Sequence, residues 1–223
     1  MLGYCFTCGS RFDDALTGGR ECKRCAHNLT WGMEAADAPP AYAVAGNSLM
    51  APFRILVDTQ EKLAYTFPGI RTDAKQGRRP LFVPLEACSL YSGDYSISGY
   101  AEKVAVERKS YSDLASTLIH ERGRFERELQ RLNEMAVAWV VCEASLRMMM
   151  DGPPWFSKVN PKALWRSIYH FEVRYPRVHW WLCEGREVAE VVTYRLLESW
   201  WRVTVEEPER ERERKAKQQR GGK

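Results

Sequence analysis

Apolar residues recur along the chain with two periods, one typical of strands and one typical of helices. Short apolar or alternating runs predict strands near 53–58, 81–86, 93–98, 103–109, 137–143 and 178–183. Helical spacing predicts helices between 114 and 132, with a break or bend near Gly123, and over about 161–174 and 186–202. This alternation indicates an α/β fold in which a central mixed sheet carries helices on both faces, a three-layer arrangement.

Length and composition limit the class of protein. The 223 residues can form one substantial core and a small satellite unit. The formal net charge of +4 favours a polyanionic partner only weakly. No apolar stretch approaches the length of a membrane span, and the N-terminus lacks a signal-peptide pattern. We therefore expect a soluble, intracellular protein with no membrane partner, in the cytoplasm or nucleoid of a prokaryote or its virus, or in a nucleus.

Four of the seven cysteines form two pairs near the N-terminus, each with a gap of two residues. That spacing lets four thiolates surround one Zn²⁺; two disulfides are the alternative, disfavoured because no secretory context is visible. We predict a zinc ribbon over residues 1–34. Basic and acidic residues balance there, so a structural or protein-docking role is slightly favoured over contact with phosphates. The proposed zinc ligands are Cys5, Cys8, Cys22 and Cys25.

Two segments lack the pattern of a packed core. Residues 35–51 are rich in Ala and contain Pro39-Pro40, which predicts a flexible linker. Residues 206–223 alternate Glu and Arg and then become basic, with no apolar face, which predicts a frayed or disordered charged tail. Residues 52–205 remain as the main domain.

Acidic and basic side chains converge in two adjacent predicted strands. Successive side chains of a strand alternate between its faces, so Glu107 and Lys109 point the same way and Arg108 points opposite. Asp94 precedes Glu107 by thirteen residues, enough for a short strand, a turn and the return. An isolated Glu-x-Lys is usually a solvated triplet, but an ionised Glu107 in an apolar run needs a partner or a metal. Two carboxylates beside a lysine are typical of DNA-cutting enzymes that hold a divalent metal.

The order of these residues resembles the signature of the XPF family of structure-selective endonucleases. That signature is Gly-Asp, a variable gap, Glu-Arg-Lys, three residues and Asp, and the chain matches it from Gly93 to Asp113. Residues 55–61 resemble the family's opening strand, although Gln60 replaces the usual arginine. Residues 123–129 resemble the Gly-Arg-led helix after the catalytic strands. The resemblance covers residues 53–145 well and extends more loosely to about 202.

The resemblance implies a restriction-endonuclease-like core that hydrolyses DNA phosphodiester bonds with Mg²⁺ or Mn²⁺. Lys109 would position the attacking water or stabilise the transition state, and Arg108 would support the site or meet DNA. Asp113 would support Lys109 or Arg108. The expected metal ligands are Asp94 and Glu107, with Asp58 as a third acid nearby. The expected DNA-binding residues are Arg108 and the two arginines at a predicted helix start, Arg122 and Arg124.

Relatives of this kind cut flaps, forks and junctions, usually as dimers with a tandem helix-hairpin-helix domain, for which the chain has no room after residue 205. Selectivity for branched DNA would then come from the nuclease surface, the zinc ribbon, a homodimer or a protein partner. Two alternatives stay open: a restriction- or recombination-type nuclease on ordinary duplex, and a non-catalytic DNA- or protein-binding module. Retention of every acid and the lysine counts against the last. The pathway, whether repair, recombination or viral DNA processing, is not indicated.

Overall fold

The computed structural model describes residues 2–4, 11–13, 44–45, 48–73, 76–152 and 160–221. The predicted zinc ligands Cys5, Cys8, Cys22 and Cys25 lie outside these residues, so the zinc ribbon stays a prediction. Near the N-terminus, β1 (Leu2–Tyr4) and β2 (Arg11–Asp13) pair antiparallel.

Part of the predicted flexible linker forms strands. β3 (Val44–Ala45) and β4 (Ser48–Met50) pair antiparallel, and β4 pairs in parallel with a strand near residue 81. Leu49 explains the difference, because it is 7% exposed within the main core and its N–H donates to the carbonyl of Pro80 at 3.1 Å. The core of the main domain therefore begins earlier along the chain than the linker composition indicated.

A six-stranded mixed sheet forms the centre of the described residues. Its strands are β5 (Ile55–Asp58), β7 (Leu85–Cys88), β8 (Tyr95–Ile97), β9 (Val104–Lys109), β10 (Val137–Cys142) and β11 (Val178–Leu182). Their order is β11-β10-β9-β8-β5-β7; β9, β10 and β11 run parallel, β7 is parallel to β5, and β8 is antiparallel to both of its neighbours. The strand that pairs with β4 outside this sheet is β6 (Leu81–Phe82).

Helices lie on both faces of this sheet. They are α1 (Tyr111–His120), α2 (Arg122–Leu132), α3 (Leu146–Asp151), α4 (Pro161–Arg174) and α5 (Arg186–Trp201). Alternation along β9 places Val104 and Val106 in a core shared with α5, and Ala105 in a core shared with α1, α2, α3 and α4. The three-layer α/β arrangement expected from the sequence is therefore confirmed.

The C-terminal segment differs from the disordered tail expected there. A π-helical turn (Arg202–Glu206) continues α5 into α6 (Glu207–Gly221), whose described side chains are mostly exposed. Glu, Arg and Lys favour helix, and ion pairs one turn apart such as Arg210 with Glu206 add to that preference. None of the helices in the described ranges is long and apolar enough to cross a membrane.

Glu190 of α5 holds the loop that follows β5. Its carboxylate accepts the backbone N–H groups of Thr66 at 2.8 Å and Phe67 at 2.6 Å, and Phe67 has a positive φ of 56°. Glu190→Ala leaves both donors without that acceptor, so we expect the free energy of unfolding to fall by about 2 kcal/mol in urea denaturation. The exposed Glu184→Ala is the matched control and should change stability by less than about 0.5 kcal/mol. Equal stability of the two variants would contradict this role.

Candidate active site

Four strand ends meet at one edge of the sheet. β9 and β10 are parallel, with Lys109 paired to Cys142, so both strands finish at this edge. The antiparallel β8 starts there, since the N–H of Asp94 donates to the carbonyl of Val106 at 2.8 Å. β5 ends beside it, because the N–H of Asp58 donates to the carbonyl of Asp94 at 2.8 Å. Residues far apart in the sequence thus converge on a cleft of about 290 Å³.

Asp94 is held by backbone geometry on both sides. Gly93 before it has a φ of +81°, and a Cβ at that position would lie 2.9 Å from the Cβ of Ala105. After the turn, Oδ2 of Asp94 accepts the backbone N–H of Arg108 at 2.7 Å. The Gly-Asp pair therefore fixes one carboxylate against the strand that carries Glu107.

Glu107 and Lys109 lie on the same face of β9, as the strand period requires. Nζ of Lys109 is 2.7 Å from Oε1 of Glu107 and 3.3 Å from Oδ2 of Asp113. Ser110 caps α1 by accepting the N–H of Asp113 at 3.2 Å, which places Asp113 in the first helical turn beside the lysine. The ring of Phe125 completes the surroundings, with its centre 5.0 Å from Nζ.

Burial sets the charge balance of this cluster. Glu107 is 4% exposed, and burial, with the nearby charge of Asp94, raises its pKa well above the usual value. Burial likewise raises the pKa of Asp94 to about 7, opposed by the hydrogen bond from Arg108. Burial alone would lower the pKa of Lys109, but Glu107 and Asp113 outweigh it and raise the pKa, so the lysine stays charged. Two carboxylates that repel each other therefore share one neighbouring cation.

A family model for the ERCC4 domain matches residues 57–194. The chain belongs to the ERCC4 domain family. The resemblance to the XPF family is thereby confirmed, and it supports a nuclease that acts on DNA.

Two solved structures of XPF from Aeropyrum pernix are similar to this chain. The first, in complex with DNA, is 20% identical, covers 69% of this chain and 67% of that chain, and has a TM-score of 0.48. The second is 22% identical, covers 72% and 69%, and also has a TM-score of 0.48. The search of curated proteins found no match.

In this ERCC4 domain, the Arg108 side chain lies on the face of the sheet opposite to Glu107 and Lys109. It forms ion pairs with two glutamates there. Its guanidinium donates to both oxygens of Glu143, at 2.7 and 3.1 Å, and lies 3.4 Å from Glu61. The Arg108 side chain is 9% exposed. Tyr65 and Arg186 donate to the same Glu143 carboxylate at 2.9 and 3.3 Å. This geometry favours a supporting role for Arg108 over direct contact with DNA.

Sequence reasoning did not select Glu143 or Arg186 as site residues. Glu143 directly follows β10, the parallel neighbour of β9, and its N–H donates to the carbonyl of Lys109 at 2.8 Å. An acid one residue beyond the parallel neighbour of the strand that carries Glu107 and Lys109 is the signal that could have indicated it. Arg186 begins α5 and gives no comparable signal in the sequence.

Asp58 contacts the backbone and does not line the cleft. Its Oδ1 accepts the N–H of Leu90 at 2.9 Å and its Oδ2 accepts that of Gln60 at 3.1 Å. Glu61, three residues later, does line the cleft. Within the described part of the chain, no group of three or more His, Cys, Asp or Glu side chains is arranged as a metal site. The third metal ligand expected at Asp58 therefore has no geometric support.

Two of the carboxylates that line the cleft fit a divalent metal by their chemistry. Asp94 and Glu107 provide the hard oxygen donors that Mg²⁺ and Mn²⁺ prefer. Burial raises the pKa of both, with the charge of Asp94 adding to the effect on Glu107 and the charge of Glu61 adding to that on Asp94, and a bound cation would offset these charges. The donor set of this ERCC4 domain is thus suitable for the family's metal.

Of the two helix-start arginines expected to bind DNA, one is held within the fold. Arg122 donates to Glu126 at 3.1 Å and to Ser167 at 2.8 Å and lies over the ring of Phe171, so it joins α2 to α4. Arg124 is 79% exposed and pairs only loosely with the exposed Glu121 at 3.2 Å. Arg124 is therefore the better placed of the two for a phosphate.

Gly93 offers a direct test of how Asp94 is positioned. Gly93→Ala should lower the free energy of unfolding by about 2 kcal/mol or more, because it adds a clash with Ala105 to the strain of a positive φ. Gly99→Ala is the matched control, since Gly99 has a φ of +82° but nothing within 4 Å of its added Cβ. Thermal denaturation of both variants separates the two effects, because only Gly93→Ala adds a clash to the strain of a positive φ. Equal losses would show that the contact with Ala105 does not matter.

Proposed function

We propose that this ERCC4 domain protein is a metal-dependent endonuclease that hydrolyses phosphodiester bonds in branched or structured DNA, such as flaps, forks and junctions. The observation that carries the proposal is the meeting of Asp94, Glu107 and Lys109 at one open edge of the sheet. Buried carboxylates that repel each other lower stability unless a cation is held between them. Carboxylates with strongly raised pKa values cluster at the functional sites of enzymes.

The roles of the residues follow from their geometry. Asp94 and Glu107 would hold Mg²⁺ or Mn²⁺, which supplies Lewis acidity and a more acidic water when bound. Lys109 lines the cleft and stays charged, so its ammonium group can donate to the scissile phosphate or orient the attacking water. Asp113 holds Nζ of Lys109 toward Glu107, and Arg108 ties the end of β9 to Glu143 on the other face.

A labelled DNA panel tests this function. Flap, fork, four-way junction, linear duplex and single strand are incubated with the protein and Mg²⁺, Mn²⁺ or no metal. We expect metal-dependent cutting of the branched substrates. Equal cutting of linear duplex would instead favour a restriction-type nuclease, and cutting without metal would contradict metal dependence. Failure of a folded protein to cut any substrate would contradict the proposal as a whole.

The zinc ribbon and the partners are separate parts of the proposal. Cys5, Cys8, Cys22 and Cys25 would hold one Zn²⁺, so elemental analysis should find about one zinc per chain. A homodimer or a protein partner would supply recognition that a single nuclease domain lacks. Light scattering with and without flap DNA measures the oligomeric state directly.

A further inference from the structure

Helix α2 passes close to the candidate site. Its Phe125 ring has its centre 5.0 Å from Nζ of Lys109. Further along the same helix, the guanidinium of Arg131 lies 5.9 Å from the centre of the Tyr91 ring. Tyr91 precedes Asp94 by three residues, so the Tyr91–Arg131 pair lies beside the site.

Tyr91 is an exposed aromatic residue on a held loop. It is 73% exposed, although an aromatic ring of this size is usually largely buried. The loop is fixed on both sides of it, by the hydrogen bond from Leu90 to Asp58 and by the buried Ser92 and Gly93 before Asp94. The ring is thus presented to solvent three residues from a catalytic carboxylate.

Arg131 differs in its partners from Arg122 and Arg124, which lie on the same helix. Arg122 and Arg124 each pair with a glutamate, whereas Arg131 has no ion pair among the described residues. Its Nε is buried and has no hydrogen-bond partner there. The contact described for its side chain is with the face of Tyr91. Because no carboxylate among the described residues pairs with it, the guanidinium of Arg131 can meet a phosphate.

We propose that Tyr91 and Arg131 bind an unpaired nucleotide of the DNA substrate next to the cleavage site. The ring stacks on the base, and the guanidinium binds the adjoining phosphate. Aromatic faces stack on bases of any sequence, and arginine combines stacking with phosphate binding. A base inside a duplex already has both faces stacked on its neighbours, so this contact selects DNA with an unpaired segment. The inference rests on the proposed nuclease function and adds a substrate feature to it.

Binding of two DNAs by intact variants tests this contact. Fluorescence anisotropy without Mg²⁺ gives Kd for a flap DNA and for a linear duplex of equal length. Tyr91→Ala should weaken flap binding about tenfold and duplex binding less than twofold, and Tyr91→Phe should retain flap binding. Arg131→Gln should weaken flap binding. It should also reduce the slope of log Kd against log salt concentration by about one, the value for one lost phosphate contact. Tyr169→Ala, which removes a 51% exposed tyrosine of α4, is the matched control.

Wild-type cleavage of the flap, measured in parallel, separates this inference from the proposed function. If the wild type cuts the flap but Tyr91→Ala binds it as tightly as the wild type, the nucleotide contact is overturned and the nuclease function stands. Equal weakening of flap and duplex binding would also overturn it. If the folded wild type neither binds nor cuts the flap, both proposals fall. Thermal denaturation confirms that each variant is folded.

Discussion

Asp94→Asn should abolish DNA cleavage while leaving the fold intact. The substitution keeps the size of the side chain but removes one of two carboxylates that would hold the metal. We expect the single-turnover rate on flap DNA to fall by about 10³ or more, because the lost stabilisation of the transition state is several kcal/mol. Quenched-flow or gel measurements at saturating protein give this rate.

The matched control is Asp151→Asn, the same substitution at an acid that is 58% exposed and pairs with Arg147. It should cut like the wild type. Cleavage by a folded Asp94→Asn at the wild-type rate would remove Asp94 from the site. An equal loss in Asp151→Asn would show that the assay responds to general damage.

Asp94→Asn should raise the stability of the protein although it removes activity. Burial raises the pKa of Asp94 to about 7 in the folded protein, so folding favours its protonated form. The stabilisation this provides is complete below the unfolded pKa of about 4 and is lost as the pH rises through about 7. Without added divalent metal, the free energy of unfolding of Asp94→Asn should therefore exceed that of the wild type increasingly between those pH values. Urea denaturation at several pH values measures the difference.

The sequence allowed the placement of the side chains along β9 to be predicted because its information is local. The period of a strand places Glu107 with Lys109 and Arg108 opposite, whatever the rest of the fold does. The role of Asp58 could not be predicted in the same way. Its two oxygens accept N–H groups from Leu90 and Gln60, and the first of these depends on a loop 32 residues away.

Residues that act through long-range pairing were missed for the same physical reason. Glu143 reaches Arg108 only because β10 lies parallel to β9 in one register, and a shift by one residue would turn it to the other face. Arg122 satisfies the sequence criterion for a phosphate site at a helix start, yet Ser167 and Phe171 of α4 bind it. Side-chain partners far apart in sequence are fixed by packing, which periodicity does not encode.

Glu143→Ala should cause a large loss of stability. The substitution leaves the guanidinium of Arg108, 9% exposed, with only the longer contact to Glu61 at 3.4 Å, and it removes the acceptor of the Tyr65 hydroxyl. Removing one partner of a buried ion pair leaves an uncompensated charge, so we expect the free energy of unfolding to fall by about 3 kcal/mol. Urea denaturation measures this loss. Asp151→Ala, which breaks the exposed pair with Arg147, should cost no more than about 0.5 kcal/mol.

A double variant distinguishes a buried charge from a simple loss of packing at Glu143. If the unpaired guanidinium causes the loss, Arg108→Met should restore part of the stability of Glu143→Ala, because an apolar side chain of similar length needs no acid. If the two losses simply add, the pair does not act as a unit and the supporting role of Arg108 is wrong. A stable Glu143→Ala that fails to cut DNA would instead place Glu143 in the chemistry. The contrast with Asp94 then becomes informative. Removal of a carboxylate that holds the metal should remove activity and raise stability. Removal of a carboxylate that supports the strand should lower both activity and stability.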